Sequence, residues 1–184
     1  FLLIPLFPIF ILISVLIKLD SEGPIFFIQK RIGLKGKEFY MIKFRSMKQN
    51  AEFEGDGLFC YGNDSRVTRI GRLLRRTSFD EFPQLINIIK GEMSFVGPRP
   101  PVSYELGNYF SFKGMLKRRF IVKPGIVGLA QVSGRNEINW DQKIIFDNLY
   151  IDNYKRIGVL EDIRIILLSI FTVFSMSNIN ENKL

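Results

Sequence analysis

Residues 1–17, FLLIPLFPIFILISVLI, carry no charge, and the first charged side chain is Lys18. A helix that spans a bilayer needs about 20 apolar residues, so this run is slightly short for a crossing. Pro5 and Pro8 lie inside it; each removes a helix donor and favours a kink. The pattern predicts a kinked membrane helix over residues 1–19 that dips into one leaflet and returns, its freed carbonyls finding internal partners. A buried helix of a soluble core is the alternative. No small-residue cleavage site follows the run, which argues against a signal peptide. The chain begins with Phe rather than Met, so further residues are expected upstream.

Residues 20–184 are long enough for a core of their own and show no repeat, low-complexity tract or second boundary. They are expected to form one domain. The chain of 184 residues has no histidine, one cysteine and a formal charge of +8. A histidine triad, a histidine general base and a His-containing zinc site are therefore excluded. Cys60 has no partner for an internal disulfide and sits among Leu58, Phe59 and Tyr61, which predicts burial rather than nucleophilic work. The reactive inventory is acids, bases and a hard metal. The positive charge calls for an anionic partner: nucleic acid, lipid head groups or a diphosphate substrate.

IFFIQKRI and KEFYMIKF, separated by GLKG, read as a β-hairpin. Its second strand delivers Lys43 and Arg45 at alternate positions, either to clamp a phosphate or to solvate an exposed face. Residues 48–65 are rich in Gly, Asn and Asp and read as a loop. From Arg66 to Ser78, Val67, Ile70, Leu73 and Leu74 share one helical face, with Arg66, Arg69, Arg72 and Arg76 beside it. Such a helix suits an anionic membrane surface, where each nearby base contributes on the order of 1 kcal/mol. No stacking aromatics are interleaved with those arginines, so nucleic acid is not the expected partner.

The stretch RRTSFDEFPQLINIIKG places adjacent carboxylates, Asp80 and Glu81, before an apolar helix that Gly91 ends. With Asp80 as N-cap, Pro83 falls in the first turn, where its missing donor costs nothing, and Leu85, Ile86, Ile88 and Ile89 form the apolar face. Ser78 with Glu81 also spells a capping box, but a cap there pushes Pro83 inward. Either cap places both carboxylates at a helix N-terminus, which favours negative charge and phosphate. The bland reading is a simple cap. Downstream, Pro98, Pro100 and Pro101 stiffen the backbone around Arg99, and a pre-fixed arginine is what bidentate phosphate recognition needs. Residues 123–140 form a Gly-punctuated stretch containing Arg135 and Trp140, whose glycines can bring amides close to an anion. Residues 160–175 read as a short apolar helix, packed on the core or lying in the membrane interface.

Taken together, KLDSEGPIFFIQKRIG, FYMIKFRSM, RVTRIGRLLRRTSFDEFPQLINIIKGEMSFVGPRP, VKPGIVGLAQVSGRN and the tail near Asp147 and Tyr150 resemble the bacterial sugar transferases, or monotopic phosphoglycosyl transferases. Several blocks agree in order over nearly the whole chain. The resemblance implies a helix-rich α+β fold: a small cytosolic domain with a β-hairpin, a re-entrant N-terminal helix and interfacial amphipathic helices. It implies transfer of a sugar 1-phosphate from a UDP-sugar to undecaprenyl phosphate, releasing UMP, as the first membrane step of polysaccharide or glycoconjugate synthesis. Asp80 would be the nucleophile that forms a covalent phosphosugar enzyme, Glu81 its partner, and Mg²⁺ would lie near both. Lys43, Arg45, Arg75, Arg99 and Arg135 match family blocks and are the phosphate-binding candidates. The expected location is the cytoplasmic face of the bacterial inner membrane, against phospholipid. One departure is Phe7-Pro8, where relatives often carry Ser-Pro at the helix break: phenylalanine cannot satisfy a freed carbonyl. The residues themselves support the chemistry, because an ionised carboxylate needs no base and two carboxylates are adequate for Mg²⁺. The rivals are a membrane-anchored protein that binds anionic lipid or nucleic acid without turnover, and a polyprenyl diphosphate phosphatase.

Overall fold

The computed structural model of the chain describes residues 3–54, 57, 64–134 and 138–174. In chain order the elements are α1 (Leu3–Asp20), β1 (Phe26–Ile32), β2 (Glu38–Phe44), α2 (Arg69–Thr77), α3 (Gln84–Ile89), β3 (Ser94–Val96), α4 (Gly114–Arg118), β4 (Gly125–Val127), α5 (Leu129–Gly134), α6 (Trp140–Ile157) and α7 (Val159–Phe174). The helix-rich α+β class is as expected. Cys60 and Arg135 lie outside the described residues.

The hairpin forms where the alternating pattern put it, with β1 and β2 antiparallel and Phe26 opposite Phe44. One polar side chain extends it. Asn87 is fully buried, its Oδ1 accepting from the Ile42 amide at 3.1 Å and its Nδ2 donating to the Tyr40 carbonyl at 2.8 Å. It thereby gives the open edge of β2 the partners that a third strand would give. This overturns the expected apolar face of α3: the residues that this helix buries are Gln84 and Asn87, while Ile89 is 71% exposed. Gly91, at φ 76°, ends the helix as expected.

Among the described residues, four apolar clusters pack the elements together. Ile13 and Ile17 of α1 pack with Phe44 of β2 and Leu74 of α2, and Phe82, two residues beyond Asp80, leans on the same group. Asp20, at the end of α1, accepts from the Ile70 amide at 2.8 Å and so ties α1 to the first turn of α2. Phe39 and Met41 of the hairpin join Met93 in the second cluster, and Ile32, Phe112 and Phe120 form the third. In the fourth, Tyr150, Ile151 and Ile165 of α6 and α7 close over Val96 and Leu129.

A parallel pair, β3 with β4, was not expected from the Gly-punctuated stretch. Gly97 and Gly125 explain it: a Cβ on Gly125 would fall on the Gly97 amide, and one on Gly97 would fall on the Lys123 carbonyl. These glycines serve backbone packing.

The helix face from Arg66 to Ser78 is only partly as read. Thr68 caps α2, its Oγ1 accepting from the Gly71 amide at 2.9 Å, so Arg66 precedes the helix. Leu74 is buried but Leu73 is 55% exposed. Continuous α-helix runs through Pro8 in α1. Among the described side chains of α1 one stripe is covered, while Phe7, Ile11, Leu12, Val15 and Leu19 are exposed. The same holds for Leu160, Ile163, Leu167 and Phe171 of α7. Among the described residues, no helix is long and apolar enough to cross a membrane.

Candidate active site

Asp80 and Glu81 lie in a 3₁₀ turn, Phe79–Glu81, between α2 and α3. Neither expected cap is present. Pro83 sits at the N-cap of α3, and Ser78 is left-handed at φ 59° with no side-chain cap, because the chain must reverse out of α2 before it can enter the turn. The two carboxylates therefore precede α3 rather than cap it, and side-chain cations supply the field that a helix terminus was expected to supply.

Those cations converge on Glu81. Its Oε1 accepts from Lys43 Nζ at 2.8 Å and from Arg99 Nη1 and Nη2 at 3.1 Å each. Burial opposes the charge on Glu81, but Lys43 and Arg99 outweigh it and hold the carboxyl down at about 2. Asp80 is treated differently. It is 9% exposed, and among the described residues its carboxylate accepts no hydrogen bond. Burial first, and then the charge of Glu81, push Asp80 up to about 6 against the pull of Lys43, Arg75 and Arg99. Adjacent acids are thus driven apart, one fixed as an anion and one made more basic. Such a separation marks sites of acid, base or nucleophilic chemistry.

Lys43, Arg75 and Arg99 are therefore brought to the dyad, Arg75 acting on Asp80 from the last turn of α2. Arg45 is not. It is 4% exposed and its guanidinium donates to the carbonyls of Ser21 and Glu22, just beyond the end of α1, at 2.8 Å for Ser21. The alternation that put Lys43 and Arg45 on one face stops at Phe44, where β2 ends. Arg66 is consumed in the same way, on the carbonyls of Ala51, Glu54 and Gly57 and on Asp64. A Mg²⁺ ion fits the remaining donor set: the Asp80 carboxylate and Glu81 Oε2 accept nothing from the described residues, and Mg²⁺ asks for one or two carboxylates with water and substrate oxygens.

Sequence reasoning missed the residues that set this geometry. Asn87 pins α3 to β2 and was passed over inside LINII, where a lone amide in an apolar run was the available signal. Arg119, paired with Asp147 at 2.8 Å, supports the backbone of Arg99, with nothing local in the sequence to show it.

The bacterial sugar transferase family model matches residues 1–176. The chain belongs to that family. It is 42% identical over 172 residues to the UDP-glucose:undecaprenyl-phosphate glucose-1-phosphate transferase of Xanthomonas campestris pv. campestris, covering 91% of this chain and 35% of that protein. It is 43% identical over 148 residues to the undecaprenyl-phosphate galactose phosphotransferase of Salmonella typhimurium, covering 72% and 30%. With the UDP-N-acetylgalactosamine-undecaprenyl-phosphate N-acetylgalactosaminephosphotransferase of Aeromonas hydrophila it shares 39% over 176 residues, covering 94% and 41%. The chain thus spans 30–41% of the length of those three relatives. Their names carry three different sugars at nearly equal identity, so identity does not select the donor.

Proposed function

We propose that this sugar transferase moves a sugar 1-phosphate from a UDP-sugar to undecaprenyl phosphate and releases UMP. The observation that carries the reading is the division of labour in the dyad: Glu81 is held by Lys43 and Arg99, while Asp80, beside it, is buried and accepts no hydrogen bond from the described residues. An Asp80 oxygen attacks the sugar-bearing phosphorus, the bond from that phosphorus to the bridging oxygen breaks, and UMP leaves with the electron pair. An oxygen of undecaprenyl phosphate then attacks the aspartyl phosphosugar, which frees the carboxylate and gives the lipid diphosphate sugar.

Asp80, raised to about 6, is a more basic nucleophile than an ordinary carboxylate yet still mostly ionised at neutral pH, so the step needs no histidine. Lys43, Arg75 and Arg99 neutralise the diphosphate as charge develops on the leaving group. Mg²⁺ held by Asp80 and Glu81 would add to that neutralisation.

The exposed apolar stripes of α1 and α7 support a membrane-seated protein, with residues 1–19 inserted as a re-entrant helix and residues 20–184 forming the catalytic part. Arg69 and Arg72, exposed on α2, then face phospholipid head groups at the cytoplasmic surface. The test is UMP release from a panel of UDP-sugars, each with undecaprenyl phosphate and Mg²⁺, beside Asp80→Asn. UMP with one sugar, lost in the variant, is the expected result. No UMP across the panel from folded protein would move the reading to a non-catalytic binder of anionic lipid, and inorganic phosphate from a polyprenyl diphosphate would move it to a phosphatase.

A further inference from the structure

Arg99 stands in a segment built to have few donors of its own, since Pro98, Pro100 and Pro101 have no amide hydrogen. Its four successive carbonyls nevertheless all have partners. Pro98 O accepts from the Gly125 amide at 3.1 Å and Pro101 O from the Ile32 amide at 3.1 Å. The two between them are held by guanidinium groups: Arg99 O by Arg119 Nη2 at 2.8 Å, and Pro100 O by Arg31 Nη1 at 2.8 Å.

Arg119 is the more telling of the two. Its side chain is 2% exposed, as is that of Asp147 in α6, whose Oδ2 accepts from Arg119 Nε at 2.8 Å and lies 2.8 Å from Nη2. The rings of Trp140 and Phe120 lie 5.1 and 5.3 Å from its guanidinium carbon. A buried ion pair of this kind is a poor device for stability, because desolvation cancels much of the attraction and a well-packed apolar pair does as well. An apolar pair could not donate to the Arg99 carbonyl. Arg31 is likewise costly: burial, and then the nearby Arg99 charge, lower its pKa to about 10.

The geometry points to Arg119, oriented by Asp147, and Arg31 as positioning residues that fix the backbone of Arg99, so that its guanidinium stays on Glu81 and on a substrate phosphate. This rests on the transfer reaction proposed above. In that reaction a misplacement of about 1 Å costs on the order of 100-fold, which is the benefit that offsets two buried guanidiniums.

A double-mutant cycle on the full chain in detergent tests it. Arg119→Lys keeps the charge opposite Asp147 but loses the planar fork that reaches both partners. Its kcat/KM for UMP release should fall at least about 10-fold in the wild-type background, and less than about 2-fold in the Arg99→Ala background. An equal loss in both backgrounds, as a merely structural role predicts, overturns the inference. Arg31→Lys goes through the same cycle with the same expectation, so the inference stands or falls even where Arg119→Lys does not fold.

UDP titration by calorimetry supplies a readout free of turnover. Arg119→Lys, or Arg31→Lys in its place, should weaken UDP roughly 5-fold with Arg99 present and not in its absence, as expected for one charge-assisted contact. Absence of UMP release together with that UDP coupling would refute the reaction and leave the positioning intact. Uncoupled UDP binding, or none by the wild type, would refute the positioning whatever the turnover.

Discussion

Two basic regions of this chain look alike in sequence and do different things. Around residues 45–66, Arg45 and Arg66 are buried at 4% and 7% exposure and spend their donors on backbone carbonyls and, for Arg66, also on the adjacent buried Asp64. Around the dyad, Lys43 and Arg99 aim theirs at one carboxylate oxygen. The partner decides the role. A guanidinium buried on carbonyls and a local carboxylate is used up in holding loops, whereas one on a carboxylate in a partly open site, as Arg99 is, can also receive phosphate.

The sharpest test of that contrast is at the dyad. Asp80→Asn should lower UMP release by at least about 1,000-fold, since an amide is no nucleophile, while thermal unfolding shows no loss of stability. Glu81→Gln should do the reverse in part. It leaves Lys43 and Arg99 without their counter-charge and costs roughly 3 kcal/mol by denaturant unfolding, as for one broken member of a buried pair. Arg45→Met and Arg66→Met are the control arm: about 2 kcal/mol less stable for Arg45→Met from orphaned carbonyls, roughly 3 kcal/mol or more for Arg66→Met, which also leaves buried Asp64 unpaired, with kcat of the folded fraction unchanged. Lost turnover at full stability in Arg45→Met would break the comparison and return Arg45 to the phosphate site.

The acids should also separate in pH. Asp80, raised from 3.8 to about 6, binds its proton more tightly folded than unfolded, so its contribution to stability falls as pH rises across that window. Glu81, lowered from 4.5 to about 2, contributes stability above 4.5 that is lost as pH falls towards 2. Unfolding titrations of Asp80→Asn and Glu81→Gln should each lose the matching slope, and kcat/KM should decline below about pH 6 as Asp80 takes up its proton. The smallest effect expected is in Thr68→Ala, about 1 kcal/mol for the lost N-cap of α2 with turnover unaltered.

Much of this was legible before any coordinates. Local signals carried the hairpin, because alternation and GLKG act within a few residues, and they carried the stop at Gly91. The absence of histidine narrowed the chemistry to acids, bases and a hard metal, and the run of motifs from Lys18 to Asn136 placed the family. The dyad itself, Asp80-Glu81, needed only adjacency to be noticed.

Which cation meets which anion was not legible, because those partners lie far apart along the chain. Lys43 and Glu81 are 38 positions apart, Arg119 and Asp147 28, and Asn87 and the Ile42 amide 45. No periodicity links such positions; only the packing of α3 on β2, and of α6 beneath Arg119, brings them together. The same packing turned Asp80 from an imagined helix cap into a buried carboxylate in a 3₁₀ turn, and Arg45 from a phosphate candidate into a clamp on the end of α1. Sequence alone determined the chemical inventory, the hairpin and an uncharged apolar entry over residues 1–17. Tertiary structure decided which acid stays paired and which stands bare, since burial and charge at a site depend on everything packed around it.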